Sequence, residues 1–227
     1  DGDKSVQKIF APPMQEEGTG NGLSAPLPLD RDNDDTIDFV YGGDLLGNLW
    51  RFDLSGSDST KWKATLGPAA STSELDGKPL FSAKDRRPIT AAPLVADHPY
   101  GGYMVMVGTG RLLAVGDENI AATQYLYGVW DRADGSTGTA ALADLVAQTV
   151  DEATVTHDGV KYRTASSNDV RYGGTDGKRG WYLALPVSKE RILYAGIALN
   201  SNVGLFSGTI PGRASDTHTC AVGSSND

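Results

Sequence analysis

Residues 25–30 read APLPLD and residues 92–97 read APLVAD. Both have the form A-P-L-x-x-D, and the match continues downstream. The first copy runs through DRDNDDTID (30–38) into Phe39-Val40-Tyr41-Gly42-Gly43-Asp44, and the second through HPYGG (98–102) into Tyr103-Met104-Val105-Met106-Val107-Gly108. A Gly-rich turn comes next in each (LLGN, TGRLL), then an aromatic run ending in Asp, LWRFD in one and LYGVWD in the other. Two copies of a strand–turn–strand–turn–strand unit imply an array of similar sheets, and the all-β repeat architecture that fits is the propeller. Two unrelated β-meanders sharing a tripeptide are the competing reading. The repeat predicts that 25–30 and 92–97 hold equivalent positions in two different blades, with metal only at the first.

The rest of the chain fits that class. Short apolar runs bounded by Gly, Asp, Asn or Pro read as strands: FVYGG, NLWRFDL, YMVMVG, YLYGVW, WYLALP, ILYAGIAL and VGLFSGTI. Their β-branched and aromatic content suits a half-buried pleated surface. Helical signal is thin. The best candidate is TAALADLVAQTV (139–150), with Leu142, Leu145, Val146 and Thr149 at spacings that share a face. Residues 1–22 and the Ser/Thr/Gly-rich stretch 55–77 read as irregular. The expected organisation is an irregular segment at 1–22, an incomplete propeller at 23–220 and a tail at 221–227.

Bulk properties exclude some functions. At 227 residues the chain can bury a sizeable core, and 39% hydrophobic with 22% charged residues is ordinary for a globular domain. A net charge of −9 and a pI near 4.8 argue against a nucleic-acid binder, which needs a basic face. No run approaches the length of a membrane span. The start, DGDKSVQKIF, has neither Met nor an apolar signal core and reads as a mature or excised segment. The single cysteine, Cys220, is either a reduced thiol or half of a disulfide whose partner lies further along a longer chain.

The acidic loop carries the chemistry. Asp30, Asp32, Asp34, Thr36 and Asp38 stand at positions 1, 3, 5, 7 and 9 of an EF-hand-type loop. Calcium wants six to eight hard oxygens, and alternate positions of a tight loop supply them, position 7 through its backbone carbonyl. Two positions depart from the pattern: Asp35 replaces the usual Gly at position 6 and Tyr41 replaces the bidentate Glu at position 12. Asp tolerates the left-handed backbone better than most residues, so the loop can still turn there, with the Asp35 side chain outward. The next element is a strand instead of a helix. The expectation is one Ca²⁺ held by four carboxylates, the Thr36 carbonyl and water; Mg²⁺ fits less well because it dehydrates reluctantly. A solvated acidic turn is the bland alternative.

No catalytic or organic-cofactor site is readable. His98, His157 and His218 lack metal-ligand spacing, and His218 with Cys220 reads as a surface pair. GGTDGKRG (173–180) departs from the phosphate-loop pattern and reads as a hairpin turn; no G-x-S-x-G elbow is present. Trp50, Trp130 and Trp181 read as core.

The segment GLSAPLPLDRDNDDTIDFVYGGDLLGNLWRFDL (22–54) resembles the signature region of the PilY/PilC family, pilus-tip proteins of bacterial type IV pili. Further matches in family order are PLFSA (79–83), PITAAPLVADHPYGGYMVMVGTGRLL (88–113), QYLYGVWD (124–131), RGWYLALP (179–186), ERILYAG (190–196) and VGLFSGTIP (203–211). The resemblance implies a modified β-propeller with one EF-like calcium loop, mapping onto Asp30, Asp32, Asp34, Thr36 and Asp38. It implies a non-enzymatic role in pilus assembly, in extension against retraction under calcium control, and in surface adhesion. Implied partners are minor pilins, the remainder of a longer chain, and a host or abiotic surface. The implied location is extracellular, at the pilus tip or outer-membrane surface of a Gram-negative bacterium. The Arg-Gly-Asp tripeptide is absent. A quinoprotein dehydrogenase, also a calcium-containing propeller, and a passive structural calcium module are the rival readings; the consecutive ligands in one loop argue against the enzyme.

Overall fold

The computed structural model describes residues 20–59, 62–64, 77–134, 138–158, 160–173, 176–200, 203–212 and 224–226. Cys220, His218, the segment 1–19 and most of 55–77 fall outside them. The A-P-L repeat resolves into two sheets. In the first, β1 (Leu27–Leu29), β2 (Phe39–Gly43), β3 (Asn48–Asp53) and β4 (Lys63–Ala64) pair in order, and β5 (Phe81–Ser82) joins the free end of β3. In the second, β6 (Leu94–Asp97), β7 (Tyr103–Gly108) and β8 (Tyr125–Asp131) repeat the antiparallel meander. Ala25–Asp30 and Ala92–Asp97 thus feed the first strands of two different blades.

The second blade is finished differently. After β8 come β9 (Val146–Gln148), a protruding antiparallel hairpin of β10 (Val150–His157) and β11 (Val160–Ala165), and β12 (Gly180–Ala184). Strand β12 lies between β8, to which it is antiparallel, and β9, to which it is parallel. A third unit comes last: β13 (Arg191–Ile192), β14 (Ile197–Asn200), β15 (Val203–Leu205), β16 (Gly208–Ile210) and β17 (Ser224–Asn226), in which β14 pairs β15 while β16 lies between β13 and β17. Residues 224–226, within the stretch expected as a tail, are paired in that sheet.

The core lies between the first two blades. Alternate residues Phe39 and Tyr41 on β2, with Leu49 on β3, meet Val105 and Val107 on β7 and Tyr127 and Val129 on β8, all buried. Period-two alternation sends one face of each strand inward. Crossing this interface, Arg51 donates Nη1–H to Asp131 at 2.7 and 2.8 Å, and the Tyr41 hydroxyl donates to Asp131 Oδ2 at 2.8 Å. Burial, reinforced by the Asp131 charge, holds the Tyr41 phenol far above its ordinary value. The glycines that end β2 and β7 occupy matched slots: a Cβ on Gly43 would lie 2.2 Å from Ile89 Cγ2, and one on Gly108 2.2 Å from Ile192 Cβ. The first slot is sealed by Ile89 of the following connector and the second by Ile192 of β13.

Four sequence expectations are corrected. Residues 139–150 do not form a helix. Ala140 bridges Phe81, Leu142–Asp144 is a single 3-10 turn, and Val146–Gln148 is a strand. Burial from 141 to 150 alternates mostly with period two, because hydrogen bonds to β12 outweigh a helix propensity too weak to decide alone. ILYAGIAL and VGLFSGTI each break in two, since their halves enter different sheets. The loop holding GGTDGKRG is not a hairpin turn, because β12 pairs with β8 and β9 and not with β11. Finally, the Asp residues ending LWRFD and LYGVWD are not equivalent. Asp53 lies opposite Phe39 and Asp131 opposite Tyr103, one position apart when the blades are aligned on Gly43 and Gly108. That offset turns them to opposite faces: Asp131 is fully buried and Asp53 caps Ser55 at the surface.

Candidate metal site

The acidic loop leaves and rejoins the first blade at adjacent rungs. Leu29, the end of β1, sits opposite Phe39, the start of β2, and the Asp38 N–H donates to the Leu29 carbonyl at 3.0 Å. The Asp38 carbonyl in turn accepts the Leu54 N–H at 2.7 Å. Next along, Phe39 is buried beneath the Arg51 guanidinium, 4.9 Å above its ring. The last acidic residue therefore stands just before β2 with its backbone bonded on both sides, and the first just after β1.

Between them the carboxylates fold the loop over themselves. Asp30 Oδ1 accepts the Asn33 N–H at 2.7 Å and its Oδ2 the Asp35 N–H at 2.9 Å; Asp38 Oδ2 accepts the Arg31 N–H at 2.9 Å. Asn33 and Asp35 take the left-handed conformation, φ 60° and 68°. Asp35 thus supplies the backbone bend that position 6 requires. One carboxylate oxygen from each of Asp30, Asp32 and Asp38 lies within 4.8 Å of the others. Asp34 stands outside that trio, its Oδ1 accepting the Thr36 N–H at 2.8 Å. Charges at this separation cost about 1 kcal/mol per pair even in a water-like medium. Tyr103, which packs edge-on to Phe39 at 6.3 Å, registers the same field. Its phenol is raised mainly by burial; Arg31 opposes the shift, while Asp97, Asp38 and Asp131 add to it.

The matching connection of the second blade has no such cluster. Asp97 ends β6, and HPYGG closes with the His98 N–H on the Gly102 carbonyl at 2.9 Å. Gly101 and Gly102 are left-handed, φ 85° and 70°. His98 is buried and stacks on Trp130 at 4.5 Å with Tyr172 edge-on at 4.4 Å, and Trp130 donates to the Gly101 carbonyl. This aromatic knot has no metal-ligand spacing; its sign in the sequence is a His between a strand and a Gly-Gly turn. Trp50 is buried too, donating to the buried Asp44 carboxylate at 2.9 Å. Trp181 is half-buried over Gly128.

The family profile described as the PilY1 beta-propeller domain matches residues 8–160. The chain belongs to this family. Among relatives, it is 35% identical over 237 residues to a type IV pilus biogenesis factor PilY1 of Pseudomonas aeruginosa, covering 92% of this chain and 20% of the relative. It is 36% identical over 218 residues to a PilY1 homolog of Xylella fastidiosa, covering 91% of this chain and 14% of that protein. The chain thus spans about a fifth or less of the length of these relatives. The crystal structure of the Pseudomonas aeruginosa PilY1 C-terminal domain superimposes with a TM-score of 0.71 at 32% identity, over 86% of this chain and 45% of that one. The fold is that of a β-propeller region. No helix among the described residues is long and apolar enough to cross a membrane.

Proposed function

We propose that this propeller region binds one Ca²⁺ in the 30–38 loop and works as the calcium-responsive part of a type IV pilus biogenesis and tip-adhesion protein. The observation that carries the reading is the convergence of Asp30, Asp32 and Asp38 around a bend supplied by Asp35. Carboxylate oxygens at EF-type spacing suit calcium chemically. Asp34 and the Thr36 carbonyl complete the donor set in this proposal, with Asp34 exchanging its bond to the Thr36 N–H for the ion. When bound, the ion supplies the positive charge that the clustered carboxylates lack. The strands then do the positioning: β1 and β2 fix the two ends of the loop, so occupancy rigidifies the hairpin on which it sits.

In this reading the chain acts outside the cell, at the pilus tip or outer-membrane surface. It joins minor pilins and further parts of its own protein, and it favours pilus extension, twitching and attachment when calcium is bound. The relatives are named as pilus biogenesis factors, which supports a non-catalytic role. Calorimetric titration of calcium into the chain and into Asp38→Ala tests the site. A saturable heat lost in the variant supports it; no heat in either leaves an acidic turn. An affinity far tighter than ambient calcium would make the ion a permanent structural part, not a signal.

A further inference from the structure

Four arginines of this acidic protein meet around one cavity. It measures about 220 Å³ and is lined by Arg86, Arg87, Arg111 and Arg191 with Gln124 and Leu45, and no acidic residue lines it. The residues come from separate parts of the chain: Leu45 from the β2–β3 turn, Arg86 and Arg87 from the connector after β5, Arg111 and Gln124 from the β7–β8 loop, Arg191 from β13. These turns belong to the end of the sheets opposite the β1–β2 loop, since each strand carries the chain from one end to the other. The cavity is separate from the acidic loop.

Three of the four arginines are held in distinct ways. Arg191 is 1% exposed and directs its donors to neutral acceptors, the carbonyls of Arg111 at 2.8 Å, Asp117 at 2.7 Å, Ile120 at 2.9 Å and Lys189 at 3.0 Å. Carbonyl dipoles hold the guanidinium in place without cancelling its charge. Arg111 gives Nε–H to Asp117 Oδ1 at 2.9 Å, and the second oxygen of that carboxylate is occupied by the N–H groups of Leu113 and Ala114. Arg87 stands 3.8 Å from Asp85 through Nη2, while its buried Nε meets no acceptor among the described residues. Buried arginine donors are nearly always satisfied, and planar guanidinium forks match oxyanions in geometry as well as charge.

We propose that this cavity is an oxyanion site that takes a carboxylate or phosphate group, with Arg87 and Arg111 as the principal donors and Arg191 as a fixed background charge. The test is thermal melting of the chain in calcium-free buffer against inorganic phosphate and, separately, acetate, with ionic strength held constant by chloride. The expected result is a saturable rise in Tm, with the apparent Kd weakened at least tenfold in Arg87→Gln and in Arg111→Gln. A rise with phosphate alone identifies phosphate groups as the ligand class, and a rise with acetate alone identifies carboxylates. Neither anion raising Tm above the chloride control overturns the site. So does an undiminished response in the variants. Arg111→Lys, which keeps a cation beside the buried Asp117 but loses the planar fork, decides the matter if the glutamine variants do not fold.

Discussion

The β1–β2 and β6–β7 connections start from the same hexapeptide pattern and close the same kind of strand pair, yet they are held by opposite physics. The second is closed by burial: His98 is clamped against Trp130 and Tyr172 over a glycine turn, with Asp97 the one carboxylate of the connection. The first is closed by N–H groups donated to Asp30 and Asp38, leaving a concentration of negative charge at the surface. One connection is complete as it stands, while the proposed calcium site would make the stability of the other depend on what the medium provides. Under that proposal, responsiveness is a property of one loop and leaves the sheet unaltered.

The largest expected effect breaks the frame common to both. Asp131→Ala leaves Arg51 buried without its partner between the blades and should cost about 3–5 kcal/mol. Urea denaturation should show both connections losing protection together, because both rest on the same interface.

Calcium removal should separate them. At a hundredfold excess over Kd, bound ion stabilises the fold by about 2.7 kcal/mol, and chelator should remove that amount from the wild type and nothing from Asp38→Ala. Hydrogen exchange should locate the change in Leu27–Leu29 and Phe39–Gly43 and leave Leu94–Asp97 unaffected. Asp38→Lys sharpens the contrast. By placing a permanent cation among the carboxylates it should melt in chelator close to the calcium-loaded wild type.

The smallest effect belongs to the second connection and reads out in pH. Burial lowers the His98 pKa below its ordinary 6.5, and its ring faces Trp130, Tyr172 and Tyr100 without a carboxylate stacked on it. The folded state therefore binds the proton less well than the unfolded chain. Stability is fully present above 6.5 and is lost as pH falls from there through the folded pKa. Melting curves from pH 7.5 to 5 in chelator should show this decline in the wild type and a shallower one in His98→Gln, with the first loop uninvolved.

How far the molecule could be read from its residues differs between levels. Apolar strands such as YMVMVG and FVYGG are legible because burial makes them short apolar runs bounded by turn residues. The β10–β11 hairpin was not, since VDEATVTH and VKYRTA carry charges throughout and pair with each other outside the main sheets. Residues 139–150 mislead because small apolar residues satisfy both periods, and only β12, whose paired residues lie 35 positions downstream, decides between them. At the candidate site, spacing points to Asp30, Asp32, Asp34, Thr36 and Asp38 alike; that only Asp30, Asp32 and Asp38 bring carboxylate oxygens together, while Asp34 bonds the Thr36 N–H, depends on backbone torsions that spacing does not encode. The Arg51–Asp131 pair and the arginine cavity join residues from distant parts of the chain and leave no local trace.

The slots above Gly43 and Gly108 have a consequence for how the chain is made. Ile89 and Ile192 fill them, and each lies beyond the strands of the blade it seals. A blade emerging during synthesis has an open notch until the first residues beyond its own strands have also emerged. Completion lags behind the sheet, and each of these two blades is provisional until the chain beyond it has arrived.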